Sequence, residues 1–152
     1  MKNVLSLLML FATFSLLTGC ATIIGGSSYT AHVKVNEHPY AYIIHNGDNQ
    51  GTGVAVFKVK WSNANAFSVT VNEENCNEQT ISFERRAFRV GSFVGTVVGF
   101  TGIISGFPIP LGLAIDLATG ALWKPDINEA GVSKTSRENY HYQIDYTGCE
   151  QQ

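Results

Sequence analysis

One stretch constrains this chain more than any other. From Val90 to Ile115 it reads VGSFVGTVVGFTGIISGFPIPLGLAI, with six glycines and no charged side chain. Gly91, Gly95 and Gly99 stand four apart, and Gly102 and Gly106 follow in the same stretch. On a helix, residues four apart share a face. Small residues there let a second backbone approach closely. The spacing predicts a helix over 91–107, about 25 Å long at ~1.5 Å per residue. Pro108 and Pro110 end it, because neither ring fits a helix interior. A second, shorter helix is expected over 111–123. Val, Ile, Phe and Thr also favour strands, and the glycine spacing decides for helix.

The rest of the chain reads as β. Tyr29, Ala31, Val33 and Val35 alternate with polar residues, the signature of a strand with one buried face. Tyr40 to His45 is a second β-rich run. Ala55, Phe57, Val59 and Trp61 share one face of a third, opposite Lys58 and Lys60. Phe67, Val69 and Val71 mark a fourth, and Ile81 and Phe83 a fifth. Tyr140, Tyr142, Ile144 and Tyr146 mark a sixth. Asn46 to Gly51 (NGDNQG) is read as a turn cluster, longer than a two-residue hairpin loop. Gly51-Thr52-Gly53 is read as a turn. The expected fold is mainly β (α+β): an antiparallel β-sandwich of about six strands, with an inserted Gly-rich apolar helical hairpin.

The start of the chain carries a targeting pattern. Lys2 is followed by an uncharged apolar run from Val4 to Leu17, then Leu17-Thr18-Gly19-Cys20. A positive start, an apolar core and small residues describe a secretory signal peptide. The Leu-Thr-Gly-Cys ending resembles the lipobox of bacterial lipoproteins, in which the signal is removed and the cysteine acylated. The resemblance implies lipidation of Cys20, with its acyl chains in the membrane; two or more chains hold stably. Ala21, where an aspartate is absent, resembles lipoproteins sorted to the outer membrane. Cutting before Cys20 removes Lys2 and takes the net charge from −2 to −3. A weakly acidic chain gives no reason to expect nucleic acid. Two cysteines then remain. An exported protein meets an oxidising compartment, so Cys76 and Cys149 are expected to pair. Closing that loop stabilises by roughly 4 kcal/mol in the chain-entropy model.

The resulting division is a signal peptide over 1–19, a lipidated tether over 20–28 and a β-sandwich from 29–84 plus 138–149. A basic cluster with the apolar hairpin covers 85–123, and a polar connector covers 124–137.

Cys20-Ala21-Thr22-Ile23, Pro39, Asn46-Gly47, Gly51-Thr52 and the run Ile115-Asp116-Leu117-Ala118-Thr119-Gly120-Ala121-Leu122-Trp123 together resemble small bacterial envelope lipoproteins with a PEGA-like β-domain. The similarity covers most of Cys20 to Trp123. It departs at Pro39-Tyr40-Ala41, which lacks the usual glycine, and at Gly53, where Thr-Pro is common. The resemblance implies a β-sandwich lipoprotein and no reaction.

His32, His38, His45 and His141 show no metal-binding spacing, and no nucleophile elbow or phosphate-binding glycine loop is present. No catalytic residue, metal or cofactor is expected. Gly91, Gly95, Gly99, Gly102 and Gly106 are candidates for membrane or subunit contact. Arg85, Arg86 and Arg89 are candidates for lipid phosphates, or a basic edge paired with Glu84. Asp116 is read as the cap or first-turn acid of the second helix. The expected function is a non-enzymatic outer-membrane lipoprotein, periplasm-facing. It acts as an envelope scaffold through contact of 90–123 with membrane, a homo-oligomer or an envelope protein complex. The alternative is a periplasmic glycan- or peptide-binding module that uses the sheet face, with Tyr140, Tyr142 and Tyr146 lining its groove.

Overall fold

A computed structural model describes residues 26–64, 66–99, 102–104, 107–109, 112–113, 116–117 and 120–149. The signal peptide, Cys20 and Gly106 lie outside the described residues. The chain divides into two compact units. One comprises Ser28–Ala87 with Trp123–Gln152, and the other contains Phe88–Leu122.

The first unit is one continuous sheet of eight strands. They are β1 (Ser28–Asn36), β2 (Tyr42–His45), β3 (Asp48–Thr52), β4 (Val54–Lys60), β5 (Phe67–Asn72), β6 (Gln79–Phe83), β11 (Val132–Lys134) and β12 (Asn139–Asp145). Their order is β11-β12-β1-β4-β3-β2-β5-β6. β1 pairs parallel with β12, from Thr30 opposite Asn139 to Asn36 opposite Asp145. The other pairings along the sheet are antiparallel. Two short strands, β7 (Arg86–Phe88) and β10 (Trp123–Pro125), pair with each other where the chain leaves the sheet and where it returns.

The expected six-stranded antiparallel sandwich is therefore wrong. Among the described residues about half are strand, and most of these lie in one eight-stranded sheet curled into a half-barrel. The physical reason lies in the side chains. Alternation shows that one face is buried but not what covers it. Here the sheet curls, and its inner face packs largely on itself. Large aromatics make this feasible. Tyr29 packs against Trp61 at 4.9 Å and Tyr140 at 5.3 Å. Tyr142 packs against Phe67 at 4.4 Å and Phe83 at 4.8 Å. Ala31, Val33, Ile43, Val69, Val71 and Ile144 fill the remaining space.

Two strands escape the period-two pattern. Asn46 and Gly47, with φ of 53° and 85°, form a two-residue turn between paired His45 and Asp48. Both central residues at positive φ is the geometry that Asn-Gly favours in tight hairpins. The polar run Asp48–Thr52 is thus strand β3 rather than loop. β11 lies inside the stretch expected to be a polar connector.

Gly53 bends the chain between β3 and β4 at φ 65°. A Cβ there would sit 2.5 Å from the carbonyl oxygen of Pro39. Its N–H donates to Ala41 O at 2.8 Å, and its carbonyl accepts from Val35 N at 2.9 Å. Replacement by Ala combines left-handed strain with a clash against backbone, an expected loss of about 2–4 kcal/mol in urea unfolding. Gly47, with nothing within 4 Å of an added Cβ, should lose only the smaller strain term.

The sulfurs of Cys76 and Cys149 lie 2.12 Å apart, at disulfide distance. The pair joins the loop after β5 to the tail after β12.

The second unit departs most from expectation. Helix α1 spans Val90–Gly99 only. Strands β8 (Gly102–Ile104) and β9 (Phe107–Ile109) follow it and pair antiparallel. Gly102 and Pro108 thus lie in a pair of short antiparallel strands, not at the joint of two helices. The β-branched and aromatic residues there outweigh the glycine spacing once α1 ends. Residues 112–113 and 116–117 have helical backbone. That segment closes with Ala121 N donating to Asp116 O and Gly120 N to Leu117 O, Gly120 standing at φ 71°. This is a Schellman ending, so Asp116 sits at a helical C-terminus, not at a cap or first turn.

Candidate functional site

Helix α1 carries no charge from end to end, with no acid in its first turn and no base in its last. Phe93 N donates to Arg89 O at 3.0 Å as the helix begins. One face turns inward: Thr96 is fully buried, and its hydroxyl donates to the fully buried carboxylate of Asp116. The other face is open. Val90 is 64% exposed and Val94 51%, one helical turn apart. Gly91 is exposed between them. In the same unit Leu117 is 53% exposed, and Phe88, also exposed, packs on Phe93 at 5.3 Å between ring centres. Exposed apolar side chains at Val90 and Val94 on an uncharged helix, with Phe88 and Leu117 exposed in the same unit, are the kind of surface that marks protein or membrane contact.

The two charges bounding the uncharged stretch are both engaged within the unit. The Arg89 guanidinium donates to Ala121 O at 2.9 Å, and its backbone N–H donates to Leu122 O at 2.8 Å. Asp116 faces Thr96, as above. The other two arginines of the basic cluster belong to the sheet unit. Arg85 pairs with Asp126 at 3.3 Å, not with Glu84, and also donates to Asn128 O at 3.1 Å. Asp126 has its carboxyl held below the usual range, first by the Asn128 backbone N–H and also by the nearby Arg85 and Lys124. Arg86 lies over the Trp123 ring at 4.1 Å. Each arginine thus has a partner within the protein.

Gly91, Gly95 and Gly99 all lie in α1. An added Cβ at Gly91 meets nothing within 4 Å, so no close approach by the rest of the described chain requires glycine there. In the isolated protein, Gly91→Ala should therefore be neutral or stabilising by up to ~1 kcal/mol through helix propensity. Thermal unfolding checks this. Clear destabilisation would mean that the face of α1 at Gly91 is not open in the isolated protein.

The sheet unit exposes large apolar side chains too: Tyr40 is 77% exposed, Val54 57% and Val56 56%. Tyr140, Tyr142 and Tyr146 are buried in the core and are not available as an open aromatic groove. His45 donates through Nδ1 to Ser68 O at 2.8 Å, and its Nε2 accepts from Asn46 Nδ2 at 3.1 Å. Both its nitrogens are thus used, one across to β5 and one within the turn. His32 and His141 stand opposite each other on β1 and β12 with rings stacked at 4.6 Å. A shallow cleft of about 460 Å³ lined by Tyr42, Ile44, Asn49, Asn72 and Glu74 contains no histidine. Sequence reasoning missed the inward turn of Asp116 onto Thr96. The two are 20 residues apart, and no motif links them.

No described helix is long and apolar enough to cross a membrane. No protein-family model, no curated protein and no solved structure matches this chain.

Proposed function

We propose that this protein is a non-enzymatic lipoprotein of the bacterial outer membrane, anchored through acylated Cys20 and facing the periplasm. The eight-stranded sheet acts as a rigid envelope scaffold, and the α1 unit rests in the membrane interface as a second contact. The observation that carries this reading is the exposed, uncharged face of α1, with Val90 and Val94 in the open. The Leu-Thr-Gly-Cys pattern at 17–20 supports an anchor close to a bilayer. Burying an exposed valine in the interface adds roughly 1–2 kcal/mol each at ~25 cal/mol per Å². The arginines bounding the stretch are occupied within the protein, so the contact is apolar in character rather than a phosphate clamp. At about 15 Å, helix α1 is too short to span a bilayer core of ~30 Å, and an interfacial position demands no more.

The test is a flotation assay with phospholipid vesicles on the non-acylated protein, comparing the native α1 face with Val90→Glu/Val94→Glu. The native face should float with vesicles and the double variant should not, with the sheet signal in circular dichroism unchanged. Equal behaviour of the two proteins would remove α1 from the membrane contact.

A further inference from the structure

Three distant parts of the chain meet at one end of the sheet. β1 and β12 run parallel. β5 is related to β1 by four successive antiparallel pairings, through β4, β3 and β2, so it points the same way. The segments that leave β1, β5 and β12 therefore emerge at the same edge. The first supplies His38, in a turn closed by Ala41 N donating to His38 O at 3.3 Å. The second supplies Glu73 and Cys76, the two ends of a turn closed by Cys76 N donating to Glu73 O at 3.1 Å. Its Asn75 stands at φ 63°. The third supplies Cys149.

The side chains converge. His38 Nδ1 and Glu73 Oε2 are 2.6 Å apart, with the two side chains only 21% and 19% exposed. The Cys149 sulfur is 3.5 Å from Glu73 Oε2 and 3.9 Å from His38 Nδ1. These three donor atoms all lie within 4.8 Å of one another. Cys76 is bonded to Cys149, so a fourth donor is at hand.

Contacts besides the sulfur–sulfur bond tie the same segments together. Tyr146 sets its ring edge against His38 at 5.0 Å and donates its hydroxyl to Asn77 O at 2.6 Å. Asn77 N donates to Gly148 O at 3.0 Å, and Thr147 N donates to the side chain of Gln79 at 3.0 Å. An added Cβ at Gly148 would meet Asn77 O and the Tyr146 ring, so the tail is tightly fitted here. The tail after β12 is thus tied to the loop after β5 by hydrogen bonds as well as by the disulfide.

We propose that the reduced protein binds a divalent zinc-type cation here, through the thiolates of Cys76 and Cys149, His38 Nδ1 and a Glu73 carboxylate oxygen. Two thiolates, an imidazole and a carboxylate are a donor set that suits tetrahedral zinc. The oxidised protein offers only His38 and Glu73, because disulfide sulfurs have no thiolate charge to donate. The site is therefore switched by redox state, and the cation and the disulfide are alternative staples for the same two loops. Opening it with a phosphine reductant is balanced. The phosphine gives two electrons to the sulfur–sulfur bond and takes an oxygen from water, which leaves two thiols. Their two protons are released when the cation binds.

The test uses the full chain in detergent, reduced with a phosphine and freed of excess reductant, titrated with cobalt under inert gas. The reduced protein should bind one cobalt per chain with a thiolate-to-cobalt charge-transfer band, and zinc should displace it. The oxidised protein should show no such band. Residues that merely orient ligands are worth about 10- to 100-fold in affinity, so His38→Ala and Glu73→Gln should each lose at least that much. Weakening of the band in both variants excludes two loose thiols as its source, since each variant keeps both cysteines. Absence of the band in the reduced protein, or unchanged cobalt affinity in both variants, would overturn the proposal. So would loss of the near-ultraviolet circular dichroism on reduction that zinc does not restore.

Discussion

Raising the pH from 10 to 12 should destabilise the sheet unit by about 4–5 kcal/mol through two buried tyrosines. The hydroxyls of Tyr29 and Tyr142 meet in the core at 3.0 Å. Burial pushes Tyr29 up from 10.0 to about 12, partly offset by its hydrogen bond to Tyr142. Burial is also the main cause that raises Tyr142, further than Tyr29, with the Tyr29 hydroxyl adding to it. The unfolded chain ionises both near pH 10, whereas the folded chain keeps them neutral. Stability is therefore intact below pH 10 and falls as the pH climbs towards and past 12. Each tyrosine contributes about 1.4 kcal/mol per pH unit within that window. Urea unfolding of the native protein and of Tyr29→Phe/Tyr142→Phe, both against pH, isolates the effect from the titration of surface lysines. The double variant should lose most of the extra slope. Parallel curves would mean that water reaches the pair.

Trp61→Ala should cost about 3–5 kcal/mol, the range for removing a large aromatic from a core. Trp61 follows β4 in a single turn of 3-10 helix, Trp61–Asn63, and is almost fully buried. It packs on Tyr29 at 4.9 Å and on Tyr140 at 6.1 Å, so it joins aromatic residues from β1 and β12. Its loss leaves a cavity that backbone hydrogen-bonded on both sides cannot close. The melting midpoint should fall by more than ~10 °C. Trp61→Phe should recover part of that loss by refilling some of the volume. A drop of less than ~1 kcal/mol for the alanine variant would contradict the packing described.

How much of this was legible in the sequence follows from which residues carry a pattern. β1, β5 and β12 alternate strictly and β4 does so from Phe57 on, and the inward residues Tyr29, Val33, Val59, Phe67, Val71, Tyr142 and Ile144 could be picked out from alternation alone. What alternation cannot supply is the order of the strands or the curvature of the sheet. Tyr142 meeting Phe67 and Phe83 is a consequence of curling, not of any local pattern. β3 was hidden because Asp48, Asn49 and Gln50 look like loop residues, although Asn46-Gly47 already suffices to turn the chain. In the uncharged stretch, glycines four apart suited a helix, and α1 does contain Gly91, Gly95 and Gly99. The same run is rich in Val, Ile and Phe, and its later part pairs as β8 and β9. The Cys76–Cys149 pair was legible because two cysteines remained once Cys20 was assigned. The neighbourhood of His38 and Glu73 was not, since it depends on three strand ends sharing one edge.

The central claim is that the α1 unit contacts lipid in addition to the acyl anchor. It is tested most directly by exporting a Cys20→Ser protein on an ordinary signal sequence, so that no lipid is attached, then fractionating the cells and measuring its mass in solution. A protein that stays with the membrane pellet and needs detergent for release is the predicted result. A soluble protein, monomeric or assembled, would contradict it and return the exposed face of α1 to contacts other than the bilayer.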